Sequence, residues 1–306
     1  NTMPEESKRQ TRFNQAETII RIALVVNALL MVAKLLAGRL GRSEALFADG
    51  VESACDLAIS AAALATMRIS RQPFDRQHPY GHGRVESLAA FLVGLVIIAT
   101  SVLILYGAVI TFASGNIPRP RLYTLAVAGA TILLKETLAR ATFRQARNLG
   151  SPVLNALAQD HRKDALTSVG TLLGCGCAFL GWRFMDPLFA GLTGLLIAHV
   201  GIDTVRGAAH DLIDTALPEE RLKAISAVAE AVEGVEHVHE LRGRSSGQYI
   251  ILDLKLDMDP EMTVARSHAI ATEVKRRIFD ADASVGDVMI HINPHDDPNH
   301  TDLIRL

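Results

Sequence analysis

Long runs of apolar residues, separated by short polar stretches, fill the first two-thirds of the chain. A helix needs about 20 such residues to cross the hydrocarbon core of a bilayer. Six runs reach roughly that length, and the pattern therefore predicts transmembrane helices over residues 22–40, 45–67, 85–113, 122–143, 153–182 and 187–213.

The pattern changes after Pro218. Apolar residues first recur at the spacing of an amphipathic helix, and later alternate with polar ones as in a half-buried strand. The order of elements predicts a small α+β domain with helices on one face of a sheet. Its elements are a helix over 219–232, strands over 237–244 and 249–257, a helix over 263–278 and a strand over 285–292.

Lys and Arg concentrate in residues 8–21, in the connection between the second and third runs, and between the fourth and fifth. Basic residues favour the cytoplasmic side, so we expect both termini in the cytoplasm. The expected domains are a cytoplasmic N-terminal arm (1–20), a transmembrane domain (21–214), a cytoplasmic α+β domain (215–295) and a flexible tail (296–306).

Composition agrees with a membrane protein, and the six predicted spans exclude a soluble enzyme. Of the 306 residues, 49% are hydrophobic, and the mean hydropathy is +0.22. A net charge of −2 gives no reason to expect a nucleic-acid partner. The three cysteines, Cys55, Cys175 and Cys177, lie in apolar runs, where we expect them to pack between helices. We expect no catalytic residues and no cofactor.

Two pairs of carboxylates are embedded in the second and fifth apolar runs. Glu52 and Asp56 are four residues apart, as are Asp160 and Asp164, so each pair shares one face of a helix. Burial of unpaired charges is prohibitive, and a cation bound between the two helices would remove that cost. Asp49, one turn before Glu52, could join the site or line its approach. In the alternative interpretation, two neighbouring cations neutralise the fifth-run pair, namely Arg162 and Lys163.

The ligand types bear on the choice of metal. Oxygen ligands suit Mn²⁺ or Fe²⁺, whereas imidazole would favour Zn²⁺. His161 is adjacent to Asp160, but successive residues of a helix point about 100° apart, so we expect it to point away from the site.

Two further groups contain histidines. Asp75, His78 and His82 lie in a loop rich in Pro and Gly, and could form either a zinc-type site or a polar loop at the membrane surface. The α+β domain contains a second group, His237, His239, His268, His291 and His295. His239 and His291 lie in strands that could be neighbours, and His268 lies in the helix that packs on them. In the alternative interpretation, these are scattered surface histidines.

At these motifs the chain resembles the cation diffusion facilitators over nearly its whole length. The motifs are residues 48–53 (Ala-Asp-Gly-Val-Glu-Ser) with Asp56, residues 78–84 (His-Pro-Tyr-Gly-His-Gly-Arg) with Glu86, residues 158–168 around Asp160 and Asp164, and residues 214–218 around Asp214 and Pro218.

The resemblance implies six transmembrane helices and a cytoplasmic metallochaperone-like domain, assembled as a homodimer that exports a divalent metal against entering protons. It also implies functional residues. The transport site falls on Glu52, Asp56, Asp160 and Asp164, the loop site on Asp75, His78 and His82, a cytoplasmic metal site on His239, His268 and His291, and a charge pair between domains on Arg84 and Asp214.

The chain departs from the zinc-transporting pattern of the family. Asp160 stands where zinc transporters have His, which is similar to the manganese branches, and Glu52 stands where Asp or His is usual. Lys255 and Asn293 replace cytoplasmic ligands of some members, which argues against a two-metal cluster there. We therefore expect a Mn²⁺ or Fe²⁺ exporter of a bacterial inner membrane. A Zn²⁺ or Cd²⁺ exporter, and a non-transporting metal sensor or scaffold, are the alternatives.

Overall fold

The computed structural model describes residues 5–70, 72, 75–149, 152–246 and 249–295. The predicted tail lies outside these residues. Each of the six apolar runs coincides with a long helix. The helices are α1 (Glu5–Gly41), α2 (Glu44–Ser70), α3 (Arg84–Ser114), α4 (Leu122–Leu149), α5 (Pro152–Phe179) and α6 (Met185–Leu212). Helix α1 begins at Glu5, within the residues assigned to the N-terminal arm, and its apolar span begins at Arg21.

Within the described residues, four helices are long and apolar enough to cross a membrane, over Arg21–Gly41, Arg84–Ser114, Leu122–Arg147 and Met185–Leu212. The remaining two long helices, α2 and α5, are 27 and 28 residues long. These two helices carry the two carboxylate pairs.

Two side chains fix the start of α2, one from the residue directly before it and one from the first turn of α6. The Ser43 hydroxyl accepts a hydrogen bond from the backbone N–H of Leu46, and the Asp186 carboxylate accepts from the backbone N–H of Glu44 at 2.5 Å. These contacts satisfy N–H groups that have no partner within a helix. Cys175 is buried at 2.9 Å from the Ser43 hydroxyl, and all three cysteines are free, which agrees with a packing role.

The C-terminal domain has the predicted order of elements. It consists of α7 (Glu219–Glu230), β1 (His237–Ser246), β2 (Tyr249–Met258), α8 (Val264–Ala281) and β3 (Val285–Pro294). The sheet order is β1-β2-β3, with β1 antiparallel and β3 parallel to β2. Alternate residues of β2 enter the hydrophobic core together with apolar residues of α7 and α8, among them Leu252, Leu254 and Leu256.

The chain forms two compact units that cut across the expected domains. One consists of Asn1–Ala61 and Leu92–Thr204, and it contains both carboxylate pairs. The other consists of Ala62–Phe91 and Val205–Leu306, so the C-terminal end of α2, the start of α3 and the end of α6 belong with the α+β domain. The loop histidines are in this second unit.

Candidate metal centre

The carboxylates of α2 and α5 lie in one region of the first unit. Asp56 is close enough to Asp160 and Asp164 for their charges to interact, and Glu52 interacts in the same way with Asp164. Glu52 and Asp56 are half-buried, Asp160 is exposed, and Asp164 is buried. The structure therefore gathers four acidic groups in a region otherwise made of apolar helices.

His161 belongs to this region, contrary to the expectation from helical geometry. One ligand atom from each of Asp160, His161 and Asp164 lies within 4.8 Å of the others. The imidazole is fully buried, and neither ring nitrogen has a hydrogen-bond partner among the described residues. His161 precedes Asp164 by three residues, which places them as neighbours on the helix surface. A buried donor and acceptor without partners suit a metal ligand.

Glu52 and Asp56 do not join this close group. Their charges interact with those of α5. Within the described part of the chain, however, the ligand atoms that lie within 4.8 Å of one another belong to the α5 group and to the loop group. The Oε2 atom of Glu52 is buried and lacks a hydrogen-bond partner there. The two helices thus supply one compact half-site on α5 and two further carboxylates from α2.

A lysine pairs with one of the predicted ligands. Lys135 of α4 lies with its Nζ 2.5 Å from Oδ2 of Asp164, and both side chains are buried. The alternative interpretation assigned this role to Arg162 and Lys163. The charge of Lys163 does interact favourably with Asp56 and Asp160, but the contact partner of Asp164 is Lys135.

Asp49 is held by a second buried lysine. Lys34 of α1 lies with its Nζ 2.8 Å from Oδ1 of Asp49 and also donates to the hydroxyls of Ser53 and Ser168. Ser168 in turn donates to Oδ2 of Asp49 at 3.0 Å. Asp49 therefore belongs to a polar network that joins α1, α2 and α5. It lies outside the close group around Asp164.

Sequence analysis missed Lys34, Lys135 and the role of His161. Both lysines lie within apolar runs, and the rule that singled out the carboxylates applies equally to them, because an ionisable residue at membrane depth requires a partner. That rule could have found the two lysines, although it could not have assigned each to its carboxylate.

The predicted loop group is brought together in the second unit. Oδ1 of Asp75 lies 3.3 Å from Nδ1 of His78, Oδ2 lies 3.6 Å from Nε2 of His82, and the two imidazole centroids are 4.4 Å apart. Backbone N–H groups of His78 and Gln77 donate to Oδ1 of Asp75 and hold the pKa of that carboxyl below its ordinary value. An ionised carboxylate between two imidazoles can bind a divalent metal of the zinc type.

The predicted cytoplasmic ligands do not form a close group among the described residues. His239, His268 and His291 are exposed, and none of them belongs to either close group of potential ligands in the described residues. Nδ1 of His239 lies 3.5 Å from Oδ2 of Asp257. The Lys255 ammonium, which stands near the expected site, lies 2.7 Å from Oε2 of Glu240. In the same domain, Asn293 is buried, His237 is exposed and His295 is half-buried.

The predicted charge pair of Arg84 and Asp214 is present and has a third member. Arg84 and Arg244 both donate to Oδ1 of Asp214, the latter at 3.0 Å. Burial raises the pKa of Asp214, but the hydrogen bonds from Arg244 and Arg84 outweigh it, so the pKa lies below its ordinary value. Asp214 has a φ of 59°. This left-handed conformation is one that Asp tolerates better than most residues.

Two family models match the chain. The cation efflux transmembrane domain matches residues 20–213, and the cytoplasmic domain of cation efflux proteins matches residues 217–295. The first match contains all four acidic residues of the centre, and the second contains the α+β domain.

Relatives match over nearly the whole chain. The manganese efflux system protein MneP of Bacillus subtilis (strain 168) is 32% identical over 281 residues, or 90% of this chain and 94% of its own. Metal tolerance protein C1 of Arabidopsis thaliana is 33% identical over 295 residues, or 92% of this chain and 63% of its own. A solved structure of a MamM CTD variant is 28% identical and covers 25% of this chain and 93% of its own, with a TM-score of 0.25. The chain therefore belongs to the cation diffusion facilitator family, whose members are integral membrane proteins, and it is an efflux transporter of divalent metal cations.

Proposed function

We propose that the protein exports Mn²⁺ or Fe²⁺ across a bacterial inner membrane in exchange for protons. The observation that carries this proposal is the close group of Asp160, His161 and Asp164 on α5, with the charges of Glu52 and Asp56 on α2 in reach. Ligands from two helices allow the site to form and open when the helices move relative to each other.

Six spans follow if α2 and α5 also cross the bilayer. Asp49 has a buried partner in Lys34 and Asp164 has one in Lys135, while Glu52, Asp56 and Asp160 adjoin the proposed site. Polar residues that face the bundle interior are compatible with a span. Six spans and the distribution of basic residues place both termini in the cytoplasm.

The exchange mechanism follows from competition for the carboxylates. Clustered acids repel one another when ionised, and either a metal or protons can relieve this repulsion. In the inward-facing state the metal binds and displaces protons. Movement of the helices then opens the site outwards, where protons displace the metal and the protonated site returns.

Two additional metal sites and a homodimer complete the proposal. The Asp75, His78 and His82 group would bind metal at the loop before α3, supported by its short distances. His239, His268 and His291 would bind a regulatory ion, for which the match to the cytoplasmic-domain model is the support. We propose that the same domain forms the dimer interface. Metal binding in this domain would then favour closure of the dimer.

Zinc is the second candidate cargo because of His161. The three carboxylates of Glu52, Asp56 and Asp160 favour Mn²⁺, and the relative MneP bears the name of a manganese efflux protein. An imidazole next to Asp164 adds a ligand that Zn²⁺ and Fe²⁺ accept readily. The relative contributions of the carboxylates and of the imidazole to metal binding thus determine which of these ions the site prefers.

Metal uptake into proteoliposomes with an imposed pH gradient tests the proposal. Mn²⁺, Fe²⁺, Zn²⁺ and Cd²⁺ are compared for the wild type and for Asp56→Ala as the control. Gradient-dependent transport of Mn²⁺ or Fe²⁺ ahead of Zn²⁺ supports it. Faster Zn²⁺ transport assigns the second candidate, and no gradient-dependent uptake of any ion by the wild type would overturn proton-coupled export in favour of a sensor or scaffold.

A further inference from the structure

Lys135 occupies the middle of the buried face of α4. The neighbouring positions on that face are small and fully or nearly fully buried, and they are Ala128, Thr131, Ala139 and Thr142. Small residues allow helices to pack closely, and α4 packs against α5. A lysine that is 2% exposed in such a row cannot extend its ammonium to the membrane surface. Its charge has to be satisfied inside the bundle.

The ammonium lies among the proposed ligands. It is 2.5 Å from Oδ2 of Asp164, and its charge also interacts favourably with Asp56 and Asp160. The other buried lysine, Lys34, is placed differently. It is bound by Asp49, Ser53 and Ser168, and these residues lie outside the close group on α5.

We propose that Lys135 is an internal competitor of the transported metal for Asp164. The inference rests on the proposed transport site. An ammonium and a divalent metal cannot both lie against the same carboxylate without strong repulsion, since like charges a few ångströms apart repel strongly inside a protein. The four-carbon stem of lysine is flexible, so its ammonium can withdraw as the metal arrives and return as the metal leaves.

This competition changes the properties of the carrier. It neutralises part of the acidic cluster without any bound ion, and it weakens metal binding. A carrier must release its cargo in every cycle, and a ligand set without an internal cation holds a divalent metal more tightly. Lys135 therefore lowers the affinity of the site for the metal and raises the rate at which the metal is released.

The test is the affinity of the purified full-length protein for Mn²⁺, measured by titration calorimetry as the binding component that Asp56→Ala removes. Lys135→Met should bind Mn²⁺ about tenfold or more tightly than wild type, and in proteoliposomes it should show a lower KM together with a lower kcat. Lys135→Arg keeps the charge and should bind Mn²⁺ within a few-fold of wild type.

Two further variants separate competition from loss of packing. Ala139→Gly removes a buried methyl group from the same face of α4 without a change in charge, and its affinity should stay close to that of wild type. Lys135→Gln retains a hydrogen-bond donor towards Asp164, and serves if Lys135→Met does not fold.

Equal or weaker binding in both uncharged Lys135 variants would show that the lysine only stabilises the fold, and would overturn the inference while leaving the transport site intact. Absence of an Asp56-dependent component in the wild type would overturn the transport site and the inference together.

Discussion

The buried acidic residues differ in whether a cation accompanies them. Asp49 and Asp164 each have a lysine within 2.8 Å, whereas Glu52 and Asp56 take part in no ion pair among the described residues. Removal of a paired carboxylate leaves a buried lysine uncompensated, at a cost of about 3–5 kcal/mol. A change at Asp56 therefore affects binding with less effect on folding than a change at Asp164.

Asp56→Ala should abolish metal transport and leave a folded dimer, because it deletes one ligand and no structural ion pair. Asp164→Ala should also abolish transport, but with a lower thermal unfolding midpoint, because Lys135 loses its partner. Transport assays and thermal unfolding of both purified variants check this. Substantial transport by Asp56→Ala would contradict its role as a ligand.

Asp160→His should raise the ratio of Zn²⁺ to Mn²⁺ transport by about tenfold or more, because a second imidazole would join His161 beside Asp164. Competition between the two ions in proteoliposomes measures the ratio. Asp160→Asn, which removes the charge without adding an imidazole, is the control. If both variants changed the ratio equally, charge and not ligand type would set the selectivity.

At the scale of elements, close contact between α1 and α2 depends on small residues. A Cβ atom added at Gly38 would lie 2.5 Å from the backbone nitrogen of Phe47, at the start of α2. A backbone atom cannot move aside as a flexible side chain can. The polar network around Lys34 and Asp49 joins the same two helices, so their packing also positions Glu52.

Gly38→Ala should lower stability by about 1–3 kcal/mol, because the added methyl group forces α1 and α2 apart. Gly107 in α3 is the matched control, since no atom lies within 4 Å of an added Cβ there. Gly107→Ala should leave stability unchanged or raise it by about 0.5–1 kcal/mol. Thermal unfolding of both variants in one detergent gives the comparison, and equal effects would argue against steric contact.

A second element-scale contact links α7, the end of α8 and β3. Ser284 and Arg221 donate to Asp282 and lower the pKa of its carboxyl from 3.8 to about 2. The folded pKa is below the unfolded one, so the ionised form stabilises the fold above about pH 4, and this contribution is lost as the pH falls towards 2.

Asp282→Asn should therefore be less stable than wild type at pH 7, and the difference should shrink between pH 4 and pH 2. Urea unfolding followed across this range measures it, with Glu219→Gln as a control, since Glu219 forms an exposed pair with Lys223. A difference that stayed constant with pH would exclude the ion pair as its cause.

At the scale of the whole molecule, the second unit combines helix ends with the α+β domain. Asp214, just beyond α6, binds Arg84 at the start of α3 and Arg244 of β1. One carboxylate thus joins three elements that are far apart in the sequence. Loss of its charge should affect how the domain is coupled to the helices of that unit.

Asp214→Asn should reduce the transport rate and make residues 214–218 more sensitive to protease, because two arginines lose their common partner. Asn tolerates the left-handed backbone at this position, so the variant tests the charge and not the conformation. Limited proteolysis and metal uptake check both effects. Transport equal to wild type with unchanged proteolysis would show that the three-membered contact has no coupling role.

The elements of this protein could be predicted from local sequence pattern. Apolar runs determined six long helices, alternation determined β2, and the order of elements determined the α+β domain. All three follow from the periodicity of apolar residues, which a single sequence displays directly. The spacing within 75–82 likewise predicted the loop group, because its members are too close in sequence to separate widely.

Only the tertiary structure decided which charges meet. It paired Asp164 with Lys135 across 29 residues and Asp49 with Lys34 across 15, and it added Arg244 to Asp214. It also brought His161 next to Asp164, and it formed no comparable close group from the histidines in the described part of the α+β domain. Such partners depend on helix rotation and packing, which a sequence pattern does not contain. The sequence determined that buried carboxylates need compensation, and the packing of the helices decided what supplies it.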